Sequence, residues 1–239
     1  MQFDINHDLL AQARAVLWKR DRLVWIVGGA GSGKTTLCRS LSDRFDVTVY
    51  DMDAHIYGAY HGRFAPQRHP VNTAWASAPD GLAWLLDMSW ERFDSFNRAA
   101  LVEYLDLLAQ DLRALDAHTF VVIDGGICNP ALLAQALPPH QILCLARTDQ
   151  SSQDIWEGSA ERIAMRDSLS HLPDPGATWQ KFLDFDARIT ATILRESIES
   201  GIDVDVWQPS ESAEDRAARL AAMLGIAQSP DSQADGAPA

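Results

Sequence analysis

Residues 28–35, Gly-Gly-Ala-Gly-Ser-Gly-Lys-Thr, have the order of types that a polyphosphate site requires, with Thr36 following. The spacing is G-x-x-x-x-G-K-[ST], set between an apolar run, Leu23–Val27, and a helical pattern. Glycines at Gly28, Gly29, Gly31 and Gly33, with small Ala30 and Ser32 between them, let successive backbone N–H groups converge on one anion. A helix beginning at Lys34 adds the positive end of its dipole. Lys34 is the expected partner of the β- and γ-phosphates of a nucleoside triphosphate, and the Thr35 hydroxyl of Mg²⁺, while Thr36 supports the helix start.

Several other residues carry candidate chemistry. "FVVID" ends at Asp124, a strand-end carboxylate expected beside Mg²⁺ with Thr35; capping a helix near Pro130 is the plain alternative. In "YDMDAH", Asp51 and Asp53 leave a second strand and, on an extended segment, share a face. Asp53 is taken as the base for a substrate hydroxyl and Asp51 as its support, with a hydrated loop pair or a helix cap as alternatives and His55 as another possible base. Arg162 and Arg166 are four residues apart in "AERIAMR", on one helix face, where two guanidinium groups could close over a transferring phosphoryl group. A solvated face partnered by Glu161 and Asp167 would give the same spacing. Arg147, after the fourth apolar run, could stack on adenine or touch phosphate.

These residues need a scaffold, and the chain is long enough for one. It has 239 residues, 47% of them hydrophobic, which suits a single domain expected over residues 1–226. Five apolar runs, beginning at Leu23, Val47, Phe120, Ile142 and Val204, alternate with helical patterns, the mark of a parallel sheet covered on both faces. Helices are expected at about 7–19, 34–44, 130–137, 149–170, 178–200 and 211–224. Residues 54–116 are too long for a simple crossover. Their first part, with Gly58, Gly62, Pro66, Pro70 and Pro79, reads as loop, followed by a long amphipathic helix from Trp90. Small and polar residues from Ala227 to Ala239 predict a disordered tail.

The formal net charge of −13 argues against nucleic-acid or anionic-membrane partners. No uninterrupted apolar stretch is long enough for a span, and residues 1–20 do not read as a signal peptide. Three cysteines without metal-ligand spacing suggest buried thiols, and a cytoplasmic location is expected.

"GGAGSGKTT", "YDMDAH", "VIDGG" and "ILCLARTDQSSQDIWEGSAERIAMR", in that order after successive strands, resemble the small P-loop kinases that act on nucleosides, nucleotides, shikimate or gluconate. The resemblance spans about residues 22–207. It implies a P-loop NTPase α/β sandwich with strand order 2-3-1-4-5, ATP·Mg²⁺ as phosphate donor, a substrate-binding insertion at 54–116 and an arginine-bearing lid at 148–176. A Ras-type GTPase is a poor match, because "ARTDQ" stands where a guanine reader belongs and Ile127 where a glycine does. "DGGICNP" lacks the arginine with which nucleotide kinases grip a monophosphate, so a small-molecule hydroxyl is the expected acceptor. Aromatic residues and Arg63, Arg68, Arg92 and Arg98 of the insertion could wall that acceptor, although the helical spacing of Trp90, Phe93, Ala100, Leu101, Tyr104, Leu105 and Leu108 makes most of them core. The competing expectation is a nucleotide-dependent switch or regulatory ATPase whose insertion meets a protein.

Overall fold

A computed structural model describes residues 3–158, 160–208 and 210–226, apart from the Glu161 side chain. The tail expected from residue 227 lies outside these. The elements in chain order are α1 (His7–Leu17), β1 (Leu23–Val27), α2 (Lys34–Phe45), β2 (Thr48–Asp51), α3 (Met52–Ala54), α4 (Pro70–Ala76), α5 (Gly81–Leu86), α6 (Trp90–Ala114), β3 (Val121–Asp124), α7 (Pro130–Leu133), β4 (Ile142–Ala146), α8 (Ser152–Glu157), α9 (Ala160–Ser168), α10 (Pro175–Glu199), β5 (Asp203–Val206) and α11 (Ala213–Met223).

The strands form one all-parallel sheet in the expected order, β2-β3-β1-β4-β5. Continuous apolar strands are explained by cover on both faces. Leu23, Trp25 and Val27 of β1 enter one core with Ile123, Ile142 and residues of α1 and α6, whereas Val24 and Ile26 enter a second with Leu37, Leu41, Leu220 and Ala221 of α2 and α11. Helices therefore sandwich the sheet.

Boundaries depart from the pattern where local chemistry intervenes. The helix expected over 149–170 is two: a capping box at Ser151 and Asp154 starts α8, which ends at Gly158, and α9 follows. α9 ends at Ser168, and α10 opens at Pro175 with Asp174 as its cap, accepting from the Ala177 N–H at 3.0 Å. Only Pro130–Leu133 is α-helical within 130–137. The insertion's first part is helical rather than loop. Pro70 is the first residue of α4, where its missing N–H costs nothing, and Asp80 caps α5 by accepting from the Ala83 N–H at 2.9 Å. Between α3 and α4 lie a five-residue π turn at His55–Ala59 and a 3₁₀ turn at His61–Arg63.

The insertion is anchored by one buried carboxylate. Glu103 of α6, 2% exposed, accepts from the Val71 N–H at 2.9 Å and from the Asn72 N–H and Nδ2 at 2.8 Å each. Burial pushes its pKa up to about 6 despite these donors. Because the folded value is the higher one, this group's contribution is full below about pH 4.5 and is lost as pH rises through about 6. Glu103→Gln should remove that slope and cost about 1–3 kcal/mol, since its NH₂ must face a backbone donor. Urea denaturation of both proteins at pH 4.5 and 7 checks it.

Candidate functional site

The glycine segment bridges the carboxyl end of β1 and the start of α2. Gly33 caps α2 with φ of 91°, a conformation costly for any residue with a Cβ, and makes no side-chain cap. The first N–H groups of α2 are thus without a side-chain cap at the positive end of a 12-residue helix. Gly29 is required for a different reason: a Cβ there would lie 2.3 Å from Thr190 Oγ1 of α10. Lys34 Nζ reaches back along the loop, donating to the carbonyls of Gly28 at 2.8 Å and Gly29 at 3.1 Å.

Sheet register gathers the carboxylates. Asp51 and Asp124 are paired residues at the ends of neighbouring strands, and Ile26 of β1 pairs with Asp124 on its other side. Asp51 and Asp53 do not continue an extended segment as expected. Asp51 ends β2 and caps α3, its Oδ1 accepting from the Ala54 N–H at 2.8 Å, while Asp53 lies in the helical turn. That turn carries Asp53 toward the loop. A Cβ on Gly125 would sit 2.8 Å from Asp53 Oδ2 and 3.4 Å from Lys34 Cε, so both side chains flank one point just beyond β3. Burial raises the Asp53 pKa, Lys34 opposes this, and Asp124 and Asp51 add to the rise. Asp53 is nonetheless open to solvent, the combination that a concave surface produces.

Asp124 is buried, 5% exposed, and desolvation raises its pKa against hydrogen bonding from Thr35 and the charge of Lys34. Its Oδ1 has no hydrogen-bond partner. An orphaned carboxylate oxygen beside a threonine hydroxyl is a suitable donor set for a hard divalent cation that brings its remaining ligands with it. Among the described residues, no group of three or more His, Cys, Asp or Glu side chains could hold a metal ion unaided. His55 is otherwise engaged: its ring stacks on Tyr50 at 3.9 Å and its Nδ1 lies 2.6 Å from the Asp51 carbonyl oxygen.

A cleft of about 440 Å³ opens along the outer side of the loop, lined by residues 30–37 with Arg147, Arg162, Trp207, Ser212 and Arg216. The Arg147 guanidinium lies 4.4 Å over the Trp207 ring and is held by Asp149 at 2.9 Å, making a flat platform at one end. Arg162 lines the cleft and donates to the Ile155 carbonyl at 2.9 Å. Arg166 is exposed with its guanidinium 5.9 Å over the Trp179 ring, so the structure does not pair it with Arg162 over the loop.

Four site residues had no distinctive signal in the sequence. Trp207 follows β5 and Arg216 lies on α11; Arg216 is fixed by Asp205 at 2.6 Å and lies 3.6 Å from a Cβ built on Gly33. Asp186, an acid within the apolar pattern of α10, is 9% exposed, and burial raises its pKa while Ser152, Trp156, Arg162 and Lys34 oppose it. Cys128 is half-buried, and its thiol is pushed up to about 12 by burial and by the charges of Asp53, Asp94 and Asp186, with Lys34 opposing. Asp94 reaches the segment after β3 directly, its Oδ1 accepting from Asn129 Nδ2 at 2.9 Å. The insertion's arginines are engaged: Arg63 with Asp111 at 2.7 Å, Arg68 with Asp106 at 2.7 Å, Arg98 with Asp94 at 2.8 Å and Glu196 at 2.5 Å, and Arg92 over Phe3 at 5.6 Å. Phe93, Leu101, Leu105 and Leu108 are core, as their spacing predicts, and Phe96 joins them.

No helix among the described residues is long and apolar enough to cross a membrane. No protein-family model matches the chain, and no curated protein matches it. Among solved structures it is similar to the "Crystal structure of TT1252 from Thermus thermophilus", at 20% identity and a TM-score of 0.49, over 87% of this chain and 98% of that one.

Proposed function

We propose that the chain is a P-loop kinase transferring the γ-phosphate of ATP to a hydroxyl group of a small molecule. The observation that carries this reading is the meeting of Asp53 and Lys34 at Gly125, beside a glycine loop that opens onto a cleft of about 440 Å³. A loop that only bound nucleotide would not need a crowded, solvent-open carboxylate on the same side as its lysine.

In this mechanism the α2 amides and Lys34 bind the polyphosphate, and the base stacks on the Arg147–Trp207 platform. Asp53 accepts the acceptor's hydroxyl proton as that oxygen forms a bond to the γ-phosphorus. The bond between the γ-phosphorus and the β–γ bridging oxygen breaks, and ADP leaves. Arg162, which lines the cleft, stabilises the charge on the transferring group. Thr35 and Asp124 are the residues that would hold Mg²⁺, which when bound neutralises phosphate charge.

The test is ADP release with ATP·Mg²⁺ over a panel of hydroxyl compounds, with the product identified as a phosphate monoester. Release that responds to a protein partner and to no hydroxyl compound would replace this reading with that of a switch. Chelating divalent cations should abolish turnover. Asp124→Asn should raise the Mg²⁺ concentration for half-maximal rate by about 10–100-fold, measured by magnesium titration at saturating ATP.

A further inference from the structure

Four residues lining the cleft beside the glycine loop are cations, Lys34, Arg147, Arg162 and Arg216, against one acid, Glu211. Glu211 gives both oxygens to Arg219, at 2.8 Å each, so its charge is already answered. In a chain of net charge −13, that concentration of cations marks the place for an anion. Lys34, Arg147 and Arg162 have parts in the proposed reaction. Arg216 has none yet.

Arg216, on α11, is 7% exposed. Its Nε donates to Asp205 Oδ2 at 2.7 Å, and its Nη2 lies 2.6 Å from the same oxygen and donates to the Asp205 carbonyl at 3.3 Å. A guanidinium is planar, so two nitrogens held by one residue fix where the third points. That third nitrogen, Nη1, makes no hydrogen bond among the described residues. It lies 3.6 Å from a Cβ built on Gly33, and no other described atom comes within 4 Å of that point, so the space between the loop and Nη1 is open. Asp205 does not need Nη1, because Arg219 takes its Oδ1 at 2.8 Å. The placement along the cleft is equally defined. Asp205 stands on β5 two residues before Trp207, half of the platform with Arg147, and Gly33 stands one residue before Lys34. Arg216 thus spans from the platform to the loop, where the phosphate nearest the base would lie.

We propose that Arg216 binds the α-phosphate of the nucleotide through Nη1, with Asp205 as its positioning residue. A buried guanidinium with one pair of N–H groups free and the rest locked is pre-organised for a phosphate oxygen, and the charge on both partners strengthens the bond. The α-phosphate does not react, so the contact is the same before and during transfer and adds to affinity rather than to rate. The assignment rests on the kinase reading and adds to it a phosphate partner from outside the glycine segment.

Calorimetry of ATP, ADP and inorganic tripolyphosphate, each with Mg²⁺, tests it on the full chain and on Arg216→Gln and Arg216→Lys. The glutamine variant should raise the Kd of ATP and of ADP by the same factor, about 10–100-fold, the scale of hydrogen bonds to charged groups, and should weaken tripolyphosphate too. In ADP release, KM for ATP should rise with kcat unchanged. Lysine keeps a charge for Asp205 but has one nitrogen where arginine has three, so Arg216→Lys should lose nucleotide affinity similarly while melting near the wild type without nucleotide. If the glutamine variant does not fold, the lysine variant carries the test. Full ATP affinity in the lysine variant would mean that Arg216 only ties α11 to β5, and would overturn the assignment while leaving the kinase reading standing. A loss confined to ATP would place the contact at the γ-phosphate, and tripolyphosphate binding left intact by a variant that loses ATP would place it at the base; either overturns the assignment. Wild-type protein that binds none of the three would remove the nucleotide site and the kinase reading together.

Discussion

Asp53→Asn is expected to leave ATP binding unchanged and to slow phosphoryl transfer by at least ~100-fold, the usual scale for losing a positioned general base. The geometry behind this is narrow. Asp53 Oδ2 and Lys34 Cε lie 2.8 and 3.4 Å from a single point at Gly125; in the proposed reaction the carboxylate would there meet the acceptor hydroxyl at the end of the triphosphate. Asparagine keeps the shape but cannot take the proton. The pH profile gives a second readout. Because burial raises the pKa of Asp53, the acid limb of kcat/KM should lie above the usual carboxylate range, with rate falling as pH drops through that value. That limb should be absent from the asparagine variant. Single-turnover kinetics at saturating ATP across pH 4–8 would settle both points; an unchanged transfer rate would remove Asp53 as the base and make Asp51 or His55 the next residue to replace.

Lys34→Ala should abolish binding and turnover together, which distinguishes it from Asp53→Asn. Lys34 is the cation placed against the loop carbonyls of Gly28 and Gly29, and its first-turn position on α2 puts it beside the amides that would hold phosphate. A ligand at about 100 times its Kd stabilises a protein by about 2.7 kcal/mol. The wild type should therefore show a clear ATP-dependent rise in Tm that the alanine variant lacks, with both melting at similar temperatures without nucleotide. Persistence of the full shift in the variant would mean that ATP binds elsewhere, and the site built on residues 28–35 would be wrong.

Parts of this architecture are visible in the residue order because they depend on neighbours in sequence. The five strands are legible since a sheet covered on both faces needs continuous apolar runs, and alternate residues of β1 do enter opposite cores. The long helix from Trp90 is legible from its period, and the core role of Phe93, Leu105 and Leu108 follows from it. The helices between residues 54 and 86 were hidden because proline and glycine serve equally well as loop residues and as helix starts, and only the chain's path distinguishes Pro70 at a first turn from a proline in a bend.

The side chains that complete the site illustrate the other limit. Asp51 and Asp53 are two apart in either conformation; the turn at Met52–Ala54, capped by Asp51, is what separates a cap from a carboxylate facing Lys34. Arg162 and Arg166 share a helix face by spacing, yet Trp156 and Trp179, on different helices, take one guanidinium each. Arg216 and Trp207 line the cleft from α11 and from just after β5, and neither spacing nor composition marks them. Local order along the chain is enough to specify a glycine loop, its lysine and the strands around it, because those are short-range steric and hydrogen-bonding requirements. Which distant side chains reach that loop, and which buried oxygens go unpaired, depends on how the helices pack over the sheet, and that is a property of the folded molecule.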